Sequence, residues 1–342
     1  MFATFQVTLH RPTVSGEAAG VSRRCRVSPG HLQIAGFAAQ TCRAMKAMTV
    51  CFVAMDHGTD MRPRHRDVER RFARAAAGFD RGDFVHRITG DGLLERMAPM
   101  QVAPRRIVDL GAGTGALSRR LAKVFRRSHI LSLDLSHAML RRARKGRGYF
   151  SRISELQADA AALPLASMSV DVVVANQLLP HLPDVDALFA EVARVLQKGG
   201  LFAFATLGPD SLRELREAWD DDGHVQRFPD MHDVGDALVR AGLRDPVLDV
   251  DHIGVDYQST ERLFGDLTAC GARNALPGRR KSLTGKARFR RAESVLADRM
   301  LEGPLKVSLE LVYGHAWGGG PRLDAGEFRL DIGDIGRRGR PG

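Results

Sequence analysis

The sequence predicts a doubly wound α/β domain on a mostly parallel sheet, and three observations carry that expectation. In the stretch from Arg105 to Leu117 the apolar pair Ile107-Val108 leads into Asp109-Leu110, then Gly111, Gly113 and Gly115 recur at every second position. From about residue 100 to 206, short apolar runs alternate with helix-forming segments, which implies parallel strands joined by right-handed crossovers. The run from Ser169 to Asn176 is apolar apart from Asp171 and its polar ends, as expected of a strand covered on both faces.

The elements follow from local chemistry. Glycine serves where the backbone needs positive φ or where a ligand approaches bare peptide, so the glycine run is a tight turn between a strand and the helix predicted over Ala116 to Phe125. The N-terminus of that helix offers unpaired N–H groups. A dinucleotide fingerprint would read G-x-G-x-x-G. Here the spacing is G-x-G-x-G after Asp109, whose carboxylate repels a pyrophosphate and suits a ligand with a positive amino group. S-adenosylmethionine meets that description.

Ile130 to Asp134 reads as the second strand, with Asp134 placed 23 residues after Gly111 at its tip, where an acid can accept from both ribose hydroxyls. The alternative is a glycine-rich turn in an ordinary α/β domain with Asp134 as a helix-start acid. Ser136 caps a helix over His137 to Lys145. A third strand, Ser154 to Ala158, leads into Asp159, positioned to accept from an adenine amino group. The fourth strand ends at Asn176, Gln177 and, slightly later, His181, at the switch point of the sheet. Asp184 to Lys198 is an amphipathic helix stopped by Gly199-Gly200, and Leu201 to Thr206 is the fifth strand. Upstream, Val68, Phe72, Ala75, Ala76 and Phe79, then Val85, Ile88, Leu93 and Leu94, predict two short helices over the cleft, with Arg70, Arg71 and Arg74 on a solvated face.

These elements divide the chain into an over-extended or disordered N-terminal segment (1–60), a helical cap (61–100), a cofactor-binding core (101–206) and a last region (207–342) holding substrate-side helices, a basic lid and the final strands. The first segment is Arg-rich and acid-poor, compatible with a transit peptide or with a start at Met55 or Met61. Its longest apolar run, Ala47 to Met55, is too short to span a bilayer and too late for a signal peptide. Cys25, Cys42, Cys51 and Cys270 form no C-x-x-C pair, which points to a reducing, cytoplasmic setting without a metal site.

The core resembles the class I S-adenosylmethionine-dependent methyltransferases. That resemblance implies seven strands in the order 3-2-1-4-5-7-6 with the seventh antiparallel. It implies Asp109, Gly111 and Gly113 at the methionine part of the cofactor, Asp134 at the ribose and Asp159 at the adenine, with Gly115 and Asn176 completing the cofactor set. Outside the core, Thr206 to Trp219, His224 to Phe228, Tyr313 to Trp317 and Phe72 to Ala76 resemble the malonyl-acyl-carrier-protein O-methyltransferase family of biotin synthesis. Gln177 to Leu182 departs from the tryptophan-containing segment of many relatives.

The resemblance implies methyl transfer to the free carboxylate of a malonyl thioester on acyl carrier protein. A carboxylate with a pKa near ~4 is ionised at neutral pH, so the reaction needs alignment and exclusion of water rather than a general base. Candidate orienting donors are His224, Arg227, Tyr313 and Trp317, with His232 and Tyr257 beside them. The run Arg273, Arg279, Arg280, Lys281, Lys286, Arg288, Arg290 and Arg291 contains no acid and would steer an acidic carrier protein, although a solvated face would look the same. Its single aromatic, Phe289, argues against nucleic acid, and no membrane contact is expected. The competing functions are a small-molecule O- or C-methyltransferase on the same core and a respiratory-complex assembly factor.

Overall fold

The computed structural model describes residues 7–9, 64–219, 224–272 and 286–320. The core strands are β1 (Arg106–Leu110), β2 (His129–Asp134), β3 (Ile153–Gln157), β4 (Val170–Asn176), β5 (Leu196–Leu207), β6 (Leu243–Tyr257) and β7 (Leu305–Gly318). They lie in the order 3-2-1-4-5-7-6, the first five parallel and β7 antiparallel to both β5 and β6. This is the expected arrangement, with one addition. A three-residue strand, Val7–Leu9, continues the sheet antiparallel to β6, with Val7 opposite Val255. The free edge of β6 offers unpaired backbone groups, and three extended residues suffice to meet them.

Ten helices flank the sheet among the described residues: α1 (His65–Ala75), α2 (Phe79–Gly82), α3 (Phe84–Met97), α4 (Ala116–Val124), α5 (His137–Gly146), α6 (Val185–Val195), α7 (Arg213–Ala218), α8 (Met231–Arg240), α9 (Thr260–Ala269) and α10 (Lys286–Asp298). The two-residue period of the strands sorts their side chains. Ile107, Val172, Val174, Leu201 and Ala203 share a core with α3, α4, α9 and α10, whereas Val108, Val173, Phe202 and Phe204 meet Leu188, Val192 and Leu238 from α6 and α8. Both faces are thus covered, which is why β4 lacks alternation.

Two expected boundaries differ. The cap contains three helices instead of two: besides the expected break, which falls at Asp83, the chain turns at residues 76–78, where Gly78 N donates to Ala75 O at 2.9 Å, and this parts α1 from α2. Helix α6 stops at Val195 rather than running to Lys198, since Leu196 takes an extended backbone and pairs with Val170. Leu196 is fully buried there, so burying it in the sheet replaces another helical turn. No described helix is long and apolar enough to cross a membrane.

Gly115 illustrates how tightly the turn is built. It has φ +75°, and a Cβ there would lie 2.9 Å from the Cβ of Ala143 in α5. Replacement by alanine combines left-handed strain with a steric clash, and is expected to lower unfolding free energy by roughly 1–3 kcal/mol. Chemical denaturation of the purified variant checks this; an unchanged midpoint would contradict it.

Candidate functional site

The carboxyl ends of β1, β2 and β4, roofed by α1, α2 and α3, enclose a cavity of about 350 Å³. Asp109, Gly111, Gly113, Asp134, Asp159 and Asn176 all line it. Gly115 does not: it sits at the N-cap of α4 and donates its N–H to Ala112 O at 2.8 Å, so its part is to shape the turn.

Gly111 (φ +68°) and Gly113 (φ +55°) both hold the left-handed backbone inferred from the sequence. A Cβ on Gly113 would find only Phe79, at 3.9 Å, so this stretch of backbone lies open to a ligand. Asp134 fixes the loop across the cleft. Its Oδ2 accepts from Gly113 N at 2.9 Å and its Oδ1 from Ser136 N at 2.7 Å. A carboxylate has about four acceptor positions, so each oxygen retains one for a hydroxyl of a bound ligand. Burial raises the Asp134 pKa, opposed by those two backbone donors.

Asp109 is buried to 1% exposure beneath the loop. Ser132 Oγ donates to Ser118 Oγ at 2.7 Å, and Ser118 Oγ donates to Asp109 Oδ2 at 2.5 Å. Burial pushes the Asp109 pKa up to about 7; the Ser118 hydrogen bond pulls against it and the nearby Asp134 charge adds to it. Neither serine stood out in the sequence. The available signal was Ser118 beside Leu117 on the inward face of α4.

Asp159 accepts from Ala161 N at 2.9 Å through Oδ1, while its Oδ2 lies 3.2 Å from His65 Nδ1 of α1. Asn176 joins sheet and cap: its Oδ1 accepts from Thr89 Oγ1 at 2.7 Å and its Nδ2 donates to His86 O at 2.8 Å. Arg71, read as solvated, instead brings Nη2 to 2.9 Å from His181 Nδ1 and stacks over the Phe72 ring. The correction has a simple cause, since α1 turns that flank toward the loop after β4.

None of the four substrate-orienting candidates lines the cavity. Tyr313 is buried, its ring under the Arg96 guanidinium at 3.8 Å and against Gly92, and burial pushes its pKa up to about 12. Trp317 lies at the far end of β7, opposite Leu201 and Arg244. His224 stacks on Trp219 at 4.0 Å, and Arg227 follows on the same connection between α7 and α8. That connection meets the cavity loop where Gln226 Nε2 donates to Pro180 O.

The residues fit S-adenosylmethionine. An open glycine backbone, a buried acid for an ammonium group, an acid at the second strand tip for a ribose and a third acid for an adenine amine occur in order along one cavity of ordinary ligand size.

Comparison with known proteins agrees. Residues 108–204 match a family model described as a methyltransferase domain. The chain is 41% identical over 284 residues to a malonyl-[acyl-carrier protein] O-methyltransferase of Halorhodospira halophila, covering 80% of this chain and 96% of the relative. A protein of the same name from Methylovorus sp. is 39% identical, covering 73% and 88%. Among solved structures, a putative methyltransferase from Bacillus halodurans aligns with a TM-score of 0.50 at 16% identity, over 68% of this chain and 99% of that one. Phosphoethanolamine N-methyltransferase 2 of Haemonchus contortus, solved with phosphomonomethylethanolamine and S-adenosylhomocysteine, aligns equally well at 17% identity, over 76% and 60%. The two structures share the fold, and the two relatives share sequence over far more of the chain than the matched methyltransferase domain: the chain belongs to the malonyl-[acyl-carrier protein] O-methyltransferase family.

Proposed function

We propose that the protein transfers the methyl group of S-adenosylmethionine to the free carboxylate of a malonyl thioester on acyl carrier protein. The observation that carries this reading is identity of 41% over 284 residues, far more than the generic core, to a relative named for that activity. The methyl ester masks a charge and lets a fatty-acid elongation machinery accept the unit on the way to biotin. Cysteine usage supports a reducing, cytoplasmic setting for the reaction.

When bound, S-adenosylmethionine supplies a methyl on a sulfonium centre that leaves as the carbon–sulfur electron pair returns to sulfur. The chain's own residues bind and orient. Asp134 and Asp159 hold the nucleoside, Asp109 faces the amino group, and Gly111 and Gly113 let the backbone approach. The roof made by α1, α2 and α3 keeps water from the ionised acceptor, so no side chain is required to take a proton.

The carrier protein docks at the basic lid. In α10, Ala292 and Leu296 are buried and anchor the helix, leaving Lys286 and Arg290 exposed. Arg299 ties the end of this region to Glu217 of α7 at 2.6 Å. Phe289 of the same helix, itself partly exposed, meets Trp219 at 6.3 Å, and Trp219 stacks on His224. His224 and Arg227 therefore belong to the carrier side of the site. Arg273, Arg279, Arg280 and Lys281 of the same run lie outside the described residues.

Changing Lys286 and Arg290 to Glu is expected to raise KM for malonyl carrier protein about tenfold at low salt, with much less effect on a small malonyl thioester. Steady-state kinetics with both substrates check it. Equal effects on the two would remove the docking surface and favour a small-molecule methyltransferase.

A further inference from the structure

We propose that Gln177 and His86 are the acceptor-orienting pair, holding the malonyl carboxylate through neutral hydrogen bonds in the cavity. This deepens the function proposed above and rests on it.

Both residues line the cavity, one from the loop after β4 and one from α3. Gln177 is 5% exposed, and its Nε2 is sealed from solvent with no hydrogen-bond partner. The Nδ1 of His86 is likewise sealed and unpartnered. Buried polar atoms are almost always paired, so two unpaired ones on residues that line one cavity call for a ligand. Gln177 also holds φ +57°, a left-handed backbone unusual for a glutamine, of the strained kind that concentrates at functional sites.

Charge explains why neutral donors fit this task. The arginines lining the cavity are already paired, Arg87 with Asp83 at 2.8 Å and Arg120 with Asp91. A carboxylate locked against a guanidinium would lose nucleophilicity, whereas amide and imidazole donors fix its direction and leave a lone pair for the methyl carbon. Burial pushes the His86 pKa down to about 4, so the ring is neutral at working pH. Its ring packs edge-on to Phe79 at 5.0 Å, which holds the imidazole against the cap.

The test is steady-state methylation of malonyl carrier protein by wild type and by Gln177→Glu, Gln177→Asn and His86→Phe, with S-adenosylhomocysteine affinity and Tm measured on each. Gln177→Glu keeps the shape but replaces a donor with a like charge, and KM for the malonyl substrate is expected to rise a hundredfold or more. His86→Phe keeps the contact with Phe79 and is expected to raise KM about tenfold. Gln177→Asn retains an amide on a residue that tolerates the left-handed backbone, and should recover most of what Gln177→Glu loses. Affinity for S-adenosylhomocysteine and Tm should hold throughout. A KM for Gln177→Glu close to wild type, or losses that merely follow weakened S-adenosylhomocysteine binding, would overturn the pair's role while leaving the function standing. Failure of the wild type itself to methylate the malonyl carrier would overturn the function and this assignment together.

Discussion

Replacing Asp134 with alanine is expected to abolish measurable S-adenosylmethionine binding in a protein that still folds. Two hydroxyl donors to an ionised carboxylate contribute about 1.5–3 kcal/mol each, so losing both weakens binding on the order of a hundredfold or more. The variant also releases Gly113 N and Ser136 N, loosening the loop that Asp134 fixes from across the cleft. Stability responds less. The alanine removes a buried carboxylate whose desolvation opposes folding as well as the two bonds it accepts, and these act in opposite directions. Calorimetric titration paired with a thermal melt separates the two effects. Undiminished binding would refute the ribose assignment.

The second large effect concerns pH. Asp109 keeps its proton up to about 7 in the folded protein, against about 3.9 for an exposed aspartate. Its pKa is thus raised, and the sign follows: between pH ~4 and ~7 the unfolded chain releases a proton that the folded chain retains, so the stability of the free protein declines across that window. Cofactor binding shows the opposite trend. An ammonium group beside Asp109 favours the ionised form, so affinity should rise as pH increases toward 7, with a proton released on binding, and should level off or fall once the ligand amine deprotonates above ~8. Asp109→Asn is expected to flatten the acid limb, abolish the proton release and lower affinity tenfold or more. Titrations from pH 5.5 to 8 in buffers of different ionisation heat measure all three. A wild-type affinity that is flat below pH 7 would contradict the role given to Asp109.

The order of the sheet and the glycines and acids that line the cavity were legible because the signals there are covalent or periodic. Positive φ at Gly111 and Gly113 follows from residue type, and the acids near the carboxyl ends of β1 and β2 follow from strand length. The end of α6 was not legible. Leu196, Gln197 and Lys198 extend the helical pattern, and only the pairing of Leu196 with Val170 decides for strand. Val7–Leu9 carries no pattern of its own and is recruited by the edge of β6. Tyr313 and Trp317 drew notice because aromatics are scarce in this chain, but scarcity does not give direction. The pleat of β7 turns Tyr313 onto α3, where Gly92 makes room for its ring. Gln177 was legible at the switch point but without a role, in a segment that departs from its relatives, and His86 was hidden between Val85 and Arg87 of a cap helix. Their significance lies in what fails to meet them once the fold brings them together, and composition carries no record of that.

The central claim is tested most directly by giving the purified protein methyl-labelled S-adenosylmethionine together with malonylated and acetylated acyl carrier protein in parallel. Base-labile label on the malonylated carrier alone is the result the account predicts, since only that thioester presents a free carboxylate. Label on both carriers, or on neither despite measured cofactor binding, would contradict it.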